Sequence, residues 1–233
     1  MKRTLLLLAG CVACLNLLAQ EAKPRVLIVG GGSSHDFSRW FDAADRATLA
    51  PVAAKVDYTD KPEQIPGLLS ALDVLFLSNN QPLAGEPLRK ALFGFAEAGK
   101  GLLLVHPAVW NNWPDWPEYN RQLVGGGASS HEAYGEFEVT VNEPAHPIMK
   151  GVAASFRVKD ELYRFQKDPE GPAIEILATG KSLATGKTFP VVWITRHSKA
   201  RIVCISLGHD GAAHDLAEYQ AILRNSCGWV FSR

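Results

Sequence analysis

The sequence has no excess of charge of either sign, and this absence narrows the range of partners. Its 233 residues include 24 Lys and Arg against 24 Asp and Glu, so the formal net charge is zero, and no basic stripe is visible. Nucleic acid is not expected as a partner, because recognition of its phosphates needs a basic surface. The remaining composition, 47% hydrophobic and 21% charged, is that of an ordinary globular protein long enough for one α/β domain.

Several familiar catalytic motifs are also missing. The chain has neither Gly-x-Ser-x-Gly nor His-Glu-x-x-His, the signatures of an exposed serine nucleophile and of a helical zinc-protease site. A glycine-rich segment, residues 30–34, matches the dinucleotide-binding fingerprint only loosely, because the third glycine of that motif falls at His35. No nucleotide cofactor is therefore expected.

A long, almost wholly apolar run occurs only at the N-terminus, over residues 5–18 after a short basic start. This pattern predicts a secretory signal peptide over residues 1–19, and hence a periplasmic or secreted protein with a mature net charge of 22 − 24 = −2. The run is too short for a membrane span and is soon followed by charged residues. Residues 7–11 also resemble a lipoprotein cleavage box, so a lipid anchor at Cys11 is the alternative.

Cysteine is scarce, and two of the four cysteines, Cys11 and Cys14, fall within the predicted signal peptide. Cys204 and Cys227 could pair in an oxidising compartment. Each lies in an apolar run, however, which favours two buried free thiols. The mature chain then has no Cys-x-x-Cys pair to bind a metal.

Short apolar runs alternate with amphipathic segments along the rest of the chain. Residues 26–29, 74–77 and 102–105 are unbroken apolar runs between turn signals, which is typical of strands buried on both faces of a parallel sheet. Residues 189–195 and 201–207 are joined by a turn and predict an antiparallel hairpin. The pattern predicts a doubly wound, mostly parallel α/β sheet in a single domain over residues 24–233. Helices on both faces are expected over residues 37–49, 85–98 and 215–231.

Histidines follow three of the predicted strands: His35 follows the first, His106 the central one and His209 the last. Parallel strands present their carboxyl ends at one edge of the sheet, where open α/β sheets bind ligands, so these imidazoles are expected on one side. Further candidates for the same edge are a fourth histidine and three carboxylates, namely His131, Asp160, Glu161 and Asp210.

Convergent histidines and carboxylates fit two chemistries, between which spacing alone does not decide. One is a site for Zn²⁺ or another divalent metal, with His35, His106, His131 and His209 as ligands. The other is metal-free acid–base catalysis, with His106, His209, Asp210 and Glu161 as the catalytic group. A strand-end residue contributes little core packing, so alanine at position 106 or 209 is expected to spare the fold.

The loop after His106 is rich in aromatic residues, and rings with polar neighbours suit stacking on sugars. Alternatively, the rings fill the core from the side of the sheet, and two of the four, Trp110, Trp113, Trp116 and Tyr119, are expected to do so. The expected ligand is a small carbohydrate. The candidate binding residues are three loop tryptophans and three polar side chains at predicted strand ends: Trp110, Trp113, Trp116, Asn79, Asn80 and Asp160.

These motifs, in this order, resemble the trehalose-utilisation (ThuA-like) family from about Arg25 to Trp229. The resemblance implies a flavodoxin-like fold related to class I glutamine amidotransferases, and a link to bacterial catabolism of disaccharides or oxidised sugars. It is carried by Gly-Gly with His35-Asp36, Gly101–His106, Trp116 to Gly126 with His131, His146-Pro147-Ile148, Asp160–Tyr163, Pro190–Trp193 and Leu207–Asp210.

One departure from the amidotransferases bears on function. Those enzymes carry a nucleophilic cysteine at the turn where this chain has His106, so glutamine hydrolysis through a thioester is not available. The sequence favours an exported hydrolase or lyase acting on a carbohydrate. A non-catalytic carbohydrate-binding module on the same fold and a small scaffold domain of an extracellular complex are the alternatives.

Overall fold

The computed structural model describes residues 22–232, and the predicted signal peptide with its Cys11 alternative lies outside this range. Eleven strands are found among the described residues. They are β1 (Arg25–Val29), β2 (Lys55–Thr59), β3 (Val74–Leu77), β4 (Gly101–Val105), β5 (Gly126–Gly127), β6 (Gly135–Val141), β7 (Ser155–Asp160), β8 (Gln166–Lys167), β9 (Ile174–Ser182), β10 (Thr188–Arg196) and β11 (Arg201–Ile205).

Nine of these strands form one sheet in the order β2-β1-β3-β4-β11-β10-β9-β6-β7. The first five are parallel, with β11 in the fifth position, which is the flavodoxin-like strand order. The doubly wound fold predicted from the apolar runs is therefore confirmed. The predicted hairpin, β10 with β11, is also present, and it begins a four-strand antiparallel extension of the sheet.

The α-helices are α1 (Arg46–Leu49), α2 (Ile65–Leu68), α3 (Glu86–Glu97), α4 (Gly211–His214) and α5 (Ala217–Phe231). Residues 38–45 precede α1 as a π-helical segment, so the helix predicted over residues 37–49 exists but starts with wider turns. A second π-helical segment spans Tyr119–Val124. Short 3₁₀ turns occur at Pro62–Gln64, Leu69–Ala71, His106–Val109 and Pro147–Met149.

The sheet has an apolar core on each face, because alternate side chains of its buried strands point to opposite sides. In β3, Val74 and Phe76 join the cluster beneath α5, whereas Leu75 and Leu77 join the cluster beneath α3. Burial of each such side chain contributes roughly 1.5–3 kcal/mol. In the buried parallel strands β1, β3, β4 and β11, polar side chains therefore occur only at or beyond the strand ends, which gathers them at the edges of this part of the sheet.

Two predictions about smaller features can be compared with the structure. Cys204 and Cys227 are buried, and neither forms a disulfide with another described residue, as expected. Within residues 22–232, none of the helices has both the length and the apolarity needed to cross a bilayer.

Candidate metal centre

Four side chains meet at the carboxyl edge of the parallel strands. His35 lies in the loop after β1, His106 follows β4 directly, and His209 lies just beyond β11. Glu161 comes from the antiparallel extension, immediately after β7. Each offers one potential ligand atom, and these four atoms all lie within 4.8 Å of one another. Three of the four predicted metal ligands are thus brought together, with Glu161 as the fourth group.

The distances within this cluster suit a small metal ion. The Nε2 of His35 lies 3.0 Å from the Nε2 of His106 and 3.1 Å from the Nδ1 of His209. The Oε2 of Glu161 lies 3.3 Å from that Nδ1 and 3.7 Å from the Nε2 of His106. Zinc bonds of about 2.0–2.1 Å place tetrahedral ligand atoms about 3.3–3.4 Å apart, and the observed spacing brackets this value.

His106 has an unusual backbone conformation. Its φ is +46°, and it is the only non-glycine residue with positive φ among residues 22–232. It is fully buried, and its Nδ1 lies 2.7 Å from the Ser206 carbonyl oxygen. That carbonyl accepts a hydrogen bond from the Nδ1–H group, so the Nε2 lone pair is directed into the cluster. The Tyr163 hydroxyl lies 3.2 Å from the same Nε2.

The electrostatics of the cluster favour the ionisation states that metal ligands need at His35, His106 and Glu161, whereas hydrogen bonding to Glu161 raises the pKa of His209. Burial, with the charge of His209, lowers the pKa of His35 to about 4, and burial lowers the pKa of His106 well below its usual range. Burial acts to raise the pKa of Glu161, but hydrogen bonding and charge from His209 outweigh it, so the pKa is lowered. At neutral pH, two neutral imidazoles therefore face a carboxylate, as metal binding requires.

A cavity of about 260 Å³ opens beside the cluster. Trp110 lines it with a half-buried ring, and Asn80 and Asn112 place amides in its wall. Asn80 donates to the Ser34 hydroxyl at 2.7 Å, and that hydroxyl lies 2.5 Å from the Nδ1 of His35. Asn80 thus both lines the cavity and orients a residue of the cluster.

His131, predicted as a metal ligand, lies on the other side of Glu161 from the three clustered imidazoles. Its Nδ1 donates to the Glu132 carbonyl oxygen at 2.6 Å, and its Nε2 lies 3.5 Å from the Oε1 of Glu161. It also lines the cavity. The structure therefore places His131 near the substrate space and outside the four-residue cluster.

Two tryptophans predicted to bind substrate do not line this cavity. Trp113 and Trp116 are 4% and 5% exposed and belong with Tyr119 to the core cluster beneath α3. The indole N–H of Trp113 donates to the Gln81 carbonyl oxygen, and Trp116 packs edge-on against Phe93 of α3. The loop folds back onto the sheet face because this position removes the apolar rings from water. Three of the four aromatic residues, rather than two, are in the core.

Two polar candidates are engaged by the protein itself, and the buried amide of a third, Asn79, has no hydrogen-bond partner among the described residues. Asp160 is fully buried and accepts backbone N–H groups from Glu161 at 2.7 Å, Gly208 at 2.8 Å and His209 at 3.3 Å. Asp210 caps α4 through the Ala212 N–H and accepts the Tyr134 hydroxyl. Asn79 is fully buried and does not line the cavity. The structure therefore places Asp160 and Asn79, both predicted to bind substrate, away from the cavity.

Sequence reasoning missed Tyr163, Ser34 and Asn112. Tyr163 follows two residues after Glu161, within an alternating stretch that places both on the same side of the chain. That periodicity was the available signal. Ser34 and Asn112 lie in loops whose course depends on tertiary packing, so no sequence pattern pointed to them.

The thiols cannot replace the missing nucleophile. Burial raises the pKa of Cys204 far above its ordinary value and that of Cys227 to about 12, and neither residue lines the cavity. A thiolate is the reactive form of cysteine, so both side chains are inert packing groups.

Several solved structures have a fold similar to that of this chain. A solved ThuA-like protein from Parabacteroides merdae superposes with a TM-score of 0.76 at 22% identity, covering 90% of both chains. Another, from Bacteroides uniformis, gives 0.75 at 20% identity over 90% of this chain and 92% of that one. The glutaminase domain of Trypanosoma brucei CTPS gives 0.50 at 12% identity, covering 88% and 94%.

These solved structures share the fold with this chain. No functionally curated protein has a significantly similar sequence. The sequence profile described as trehalose utilisation matches residues 25–230, which is almost the whole of the described chain. The chain therefore belongs to the trehalose-utilisation (ThuA) family.

Proposed function

We propose that this chain is a metal-dependent enzyme, a hydrolase or lyase that acts on a disaccharide or an oxidised sugar after export from the cell. The observation that carries the proposal is the spacing of three imidazole nitrogens and one carboxylate oxygen, all within 4.8 Å, beside a cavity of about 260 Å³. A purely structural role would not require three buried or half-buried imidazoles to face one another.

The donor set fits zinc better than the hard cations. Imidazole nitrogens suit Zn²⁺, whereas Mg²⁺ and Ca²⁺ prefer shells of oxygen ligands. His35, His106, His209 and Glu161 would hold the ion. Once bound there, a divalent ion would polarise a carbonyl or hydroxyl oxygen of the sugar. The cavity borders His35, Glu161 and His209, so a sugar oxygen reaches the cluster from that side.

The remaining residues of the cavity have separate roles in this proposal. Trp110 offers an aromatic surface to one face of the sugar ring, and the amides of Asn80 and Asn112 bind hydroxyl groups. His131 is fixed by donation from Nδ1 to the Glu132 carbonyl, which leaves Nε2 for proton transfer at the cavity. His131 is therefore the acid–base group, and the other three histidines are ligands.

Elemental analysis of the purified protein tests the metal centre. We expect about one divalent ion per chain, lost in His209→Ala and retained in His197→Asn, which alters a histidine in the β10–β11 turn. Turnover of disaccharides and their oxidised forms is expected to fall roughly 10²-fold or more in His131→Ala, with the metal retained. A wild-type protein without bound metal, even after incubation with Zn²⁺, contradicts the proposal. Sugar binding without turnover identifies the carbohydrate-binding module instead.

A further inference from the structure

His209 differs from the other two imidazoles of the cluster in the atom that it offers. His35 and His106 present Nε2, whereas His209 presents Nδ1, 3.1 Å from the Nε2 of His35. Nδ1 lies closer to the backbone than Nε2 does. The position of this nitrogen therefore depends strongly on how the peptide groups around His209 are oriented.

Those peptide groups are held by two buried side chains from other parts of the chain. Gly208, with φ at +121°, forms the turn that leads into His209. Asp160 accepts the N–H groups of Gly208 and His209 on one side of this turn. On the other side, the Nε2 of His214 donates to the Gly208 carbonyl oxygen at 3.0 Å.

His214 is itself fixed by Asp45. Its Nδ1 lies 2.7 Å from the Oδ1 of Asp45, and both side chains are almost completely buried, at 0% and 1% exposure. The Tyr219 hydroxyl donates to the Oδ2 of Asp45 at 3.1 Å, and the Trp40 ring stacks on the imidazole with 12° between planes. Every polar atom of the two side chains is thus engaged, which leaves the imidazole one orientation.

The location of the pair connects two of the segments that build the cluster. Asp45 ends the π-helical segment that follows the His35 loop, and His214 ends α4, which follows the His209 loop. A buried acid–imidazole pair is a weak source of stability, because apolar side chains of similar volume serve as well or better. The hydrogen bond to Gly208 gives the pair a function that apolar residues cannot supply.

We propose that the Asp45–His214 pair is a positioning unit that sets the Nδ1 of His209 at the metal centre. The inference rests on the proposed function, since it concerns a ligand of that centre. His214 does not touch the ion or the substrate, so it acts through the Gly208 peptide. Partners of this kind orient a ligand, and losing one typically weakens metal binding about 10–100-fold.

Two substitutions of His214 separate positioning from packing. In Gln, the amide nitrogen reaches about as far as Nε2, so His214→Gln keeps the donor to Gly208. In Asn, the amide reaches only as far as Nδ1, so His214→Asn keeps the contact with Asp45 and loses the one with Gly208. Zn²⁺ affinity would be measured by competition with a chromophoric chelator, and ligand geometry by the visible spectrum of the Co²⁺-loaded protein. Melting of the metal-free protein monitors folding.

We expect His214→Asn to weaken Zn²⁺ binding about 10–100-fold and to change the Co²⁺ spectrum, whereas His214→Gln retains both. The matched control is Asn225→Ala, which removes hydrogen bonds to the carbonyl oxygens of Ile148 and Lys150 in another loop. It is expected to lower the melting temperature with Zn²⁺ affinity unchanged.

The outcomes distinguish this inference from the proposed function. If the wild type binds Co²⁺ and His214→Asn keeps its affinity and spectrum, the inference is wrong and the metal centre stands. If the wild type binds neither ion, the metal centre itself is wrong. Should His214→Asn not fold, the double variant Asp45→Leu/His214→Leu replaces it, since exchanging a buried pair for apolar residues preserves folding in other proteins. Unchanged affinity there also overturns the inference.

Discussion

At the scale of single residues, His106 combines complete burial with a strained backbone conformation. It is completely buried and holds φ at +46°, a conformation that costs an L-residue about 1–2 kcal/mol. The sequence-based expectation that alanine here spares the fold assumed little packing at a strand end. Complete burial contradicts that assumption, so loss of the imidazole is expected to destabilise the protein.

Two substitutions at this position test the strain. Glycine reaches positive φ without a clash at Cβ, so metal-free His106→Gly is expected to be more stable than metal-free His106→Ala by about 1 kcal/mol. Urea unfolding measures the difference. At Lys90, on the exposed face of α3, the same pair should show the opposite order by about 1 kcal/mol, because glycine disfavours a regular helix. If the alanine variant is the more stable of the two at position 106 as well as at position 90, the backbone at His106 is not strained.

The positions and roles of the residues near the cluster were predictable from the sequence to different degrees. His35, His106 and His209 follow apolar runs, and parallel pairing alone brings such strand ends together. The roles of Asp160 and of the Asp45–His214 pair were not predictable, since each depends on contacts between segments far apart in the chain. Composition did not separate Trp113 and Trp116, whose rings lie in the core, from Trp110, whose ring lines the cavity.

At the scale of elements, the strands were predicted better than the segments between them. Unbroken apolar runs identify β1, β3 and β4, because only a strand covered on both faces tolerates them. The extension through β9, β6 and β7 was not foreseen as part of the same sheet. Strands β5 and β8 have two residues each, too few for any period to appear. The π-helical start of the first helix has no signature in apolar spacing.

One short element makes stability depend on pH. The Nδ1 of His146 accepts the Ile148 N–H at the start of the 3₁₀ turn Pro147–Met149, which requires a neutral imidazole. Burial lowers the pKa of His146 below 6.5. Because the unfolded chain binds the proton more readily, the contribution of this cap is present above pH 6.5 and declines as the pH falls below that value.

The variant His146→Asn keeps a capping acceptor and removes the titration. As the pH is lowered from about 7.5 to about 5.5, the free energy of unfolding of the wild type should fall more than that of the variant. Urea unfolding of the metal-free proteins at both pH values measures this difference. Lys90→Asn, on the exposed face of α3, changes no imidazole and serves as the comparison. A constant difference at both pH values would refute the pH dependence.

At the scale of the whole molecule, metal binding and folding are expected to be linked. The cluster exists only when residues 35, 106, 161 and 209 are assembled, so an ion bound there stabilises the folded state alone. At free metal about 1,000-fold above the dissociation constant, the gain is about 4 kcal/mol. Chelation by EDTA should therefore lower the melting temperature of the wild type. The double variant His35→Ala/His209→Ala should melt at the same temperature with and without EDTA.

The position of β11 has a consequence for how the chain is synthesised. This strand is the last to leave the ribosome, yet it is the middle strand of the nine and the partner of both β4 and β10. Until residues 201–205 emerge, β4 presents an entirely apolar edge with unpaired backbone groups, which invites pairing with other nascent chains. The growing chain is thus exposed to aggregation until residues 201–205 are available to pair with β4, and a stop codon anywhere before residue 201 would leave that edge permanently open.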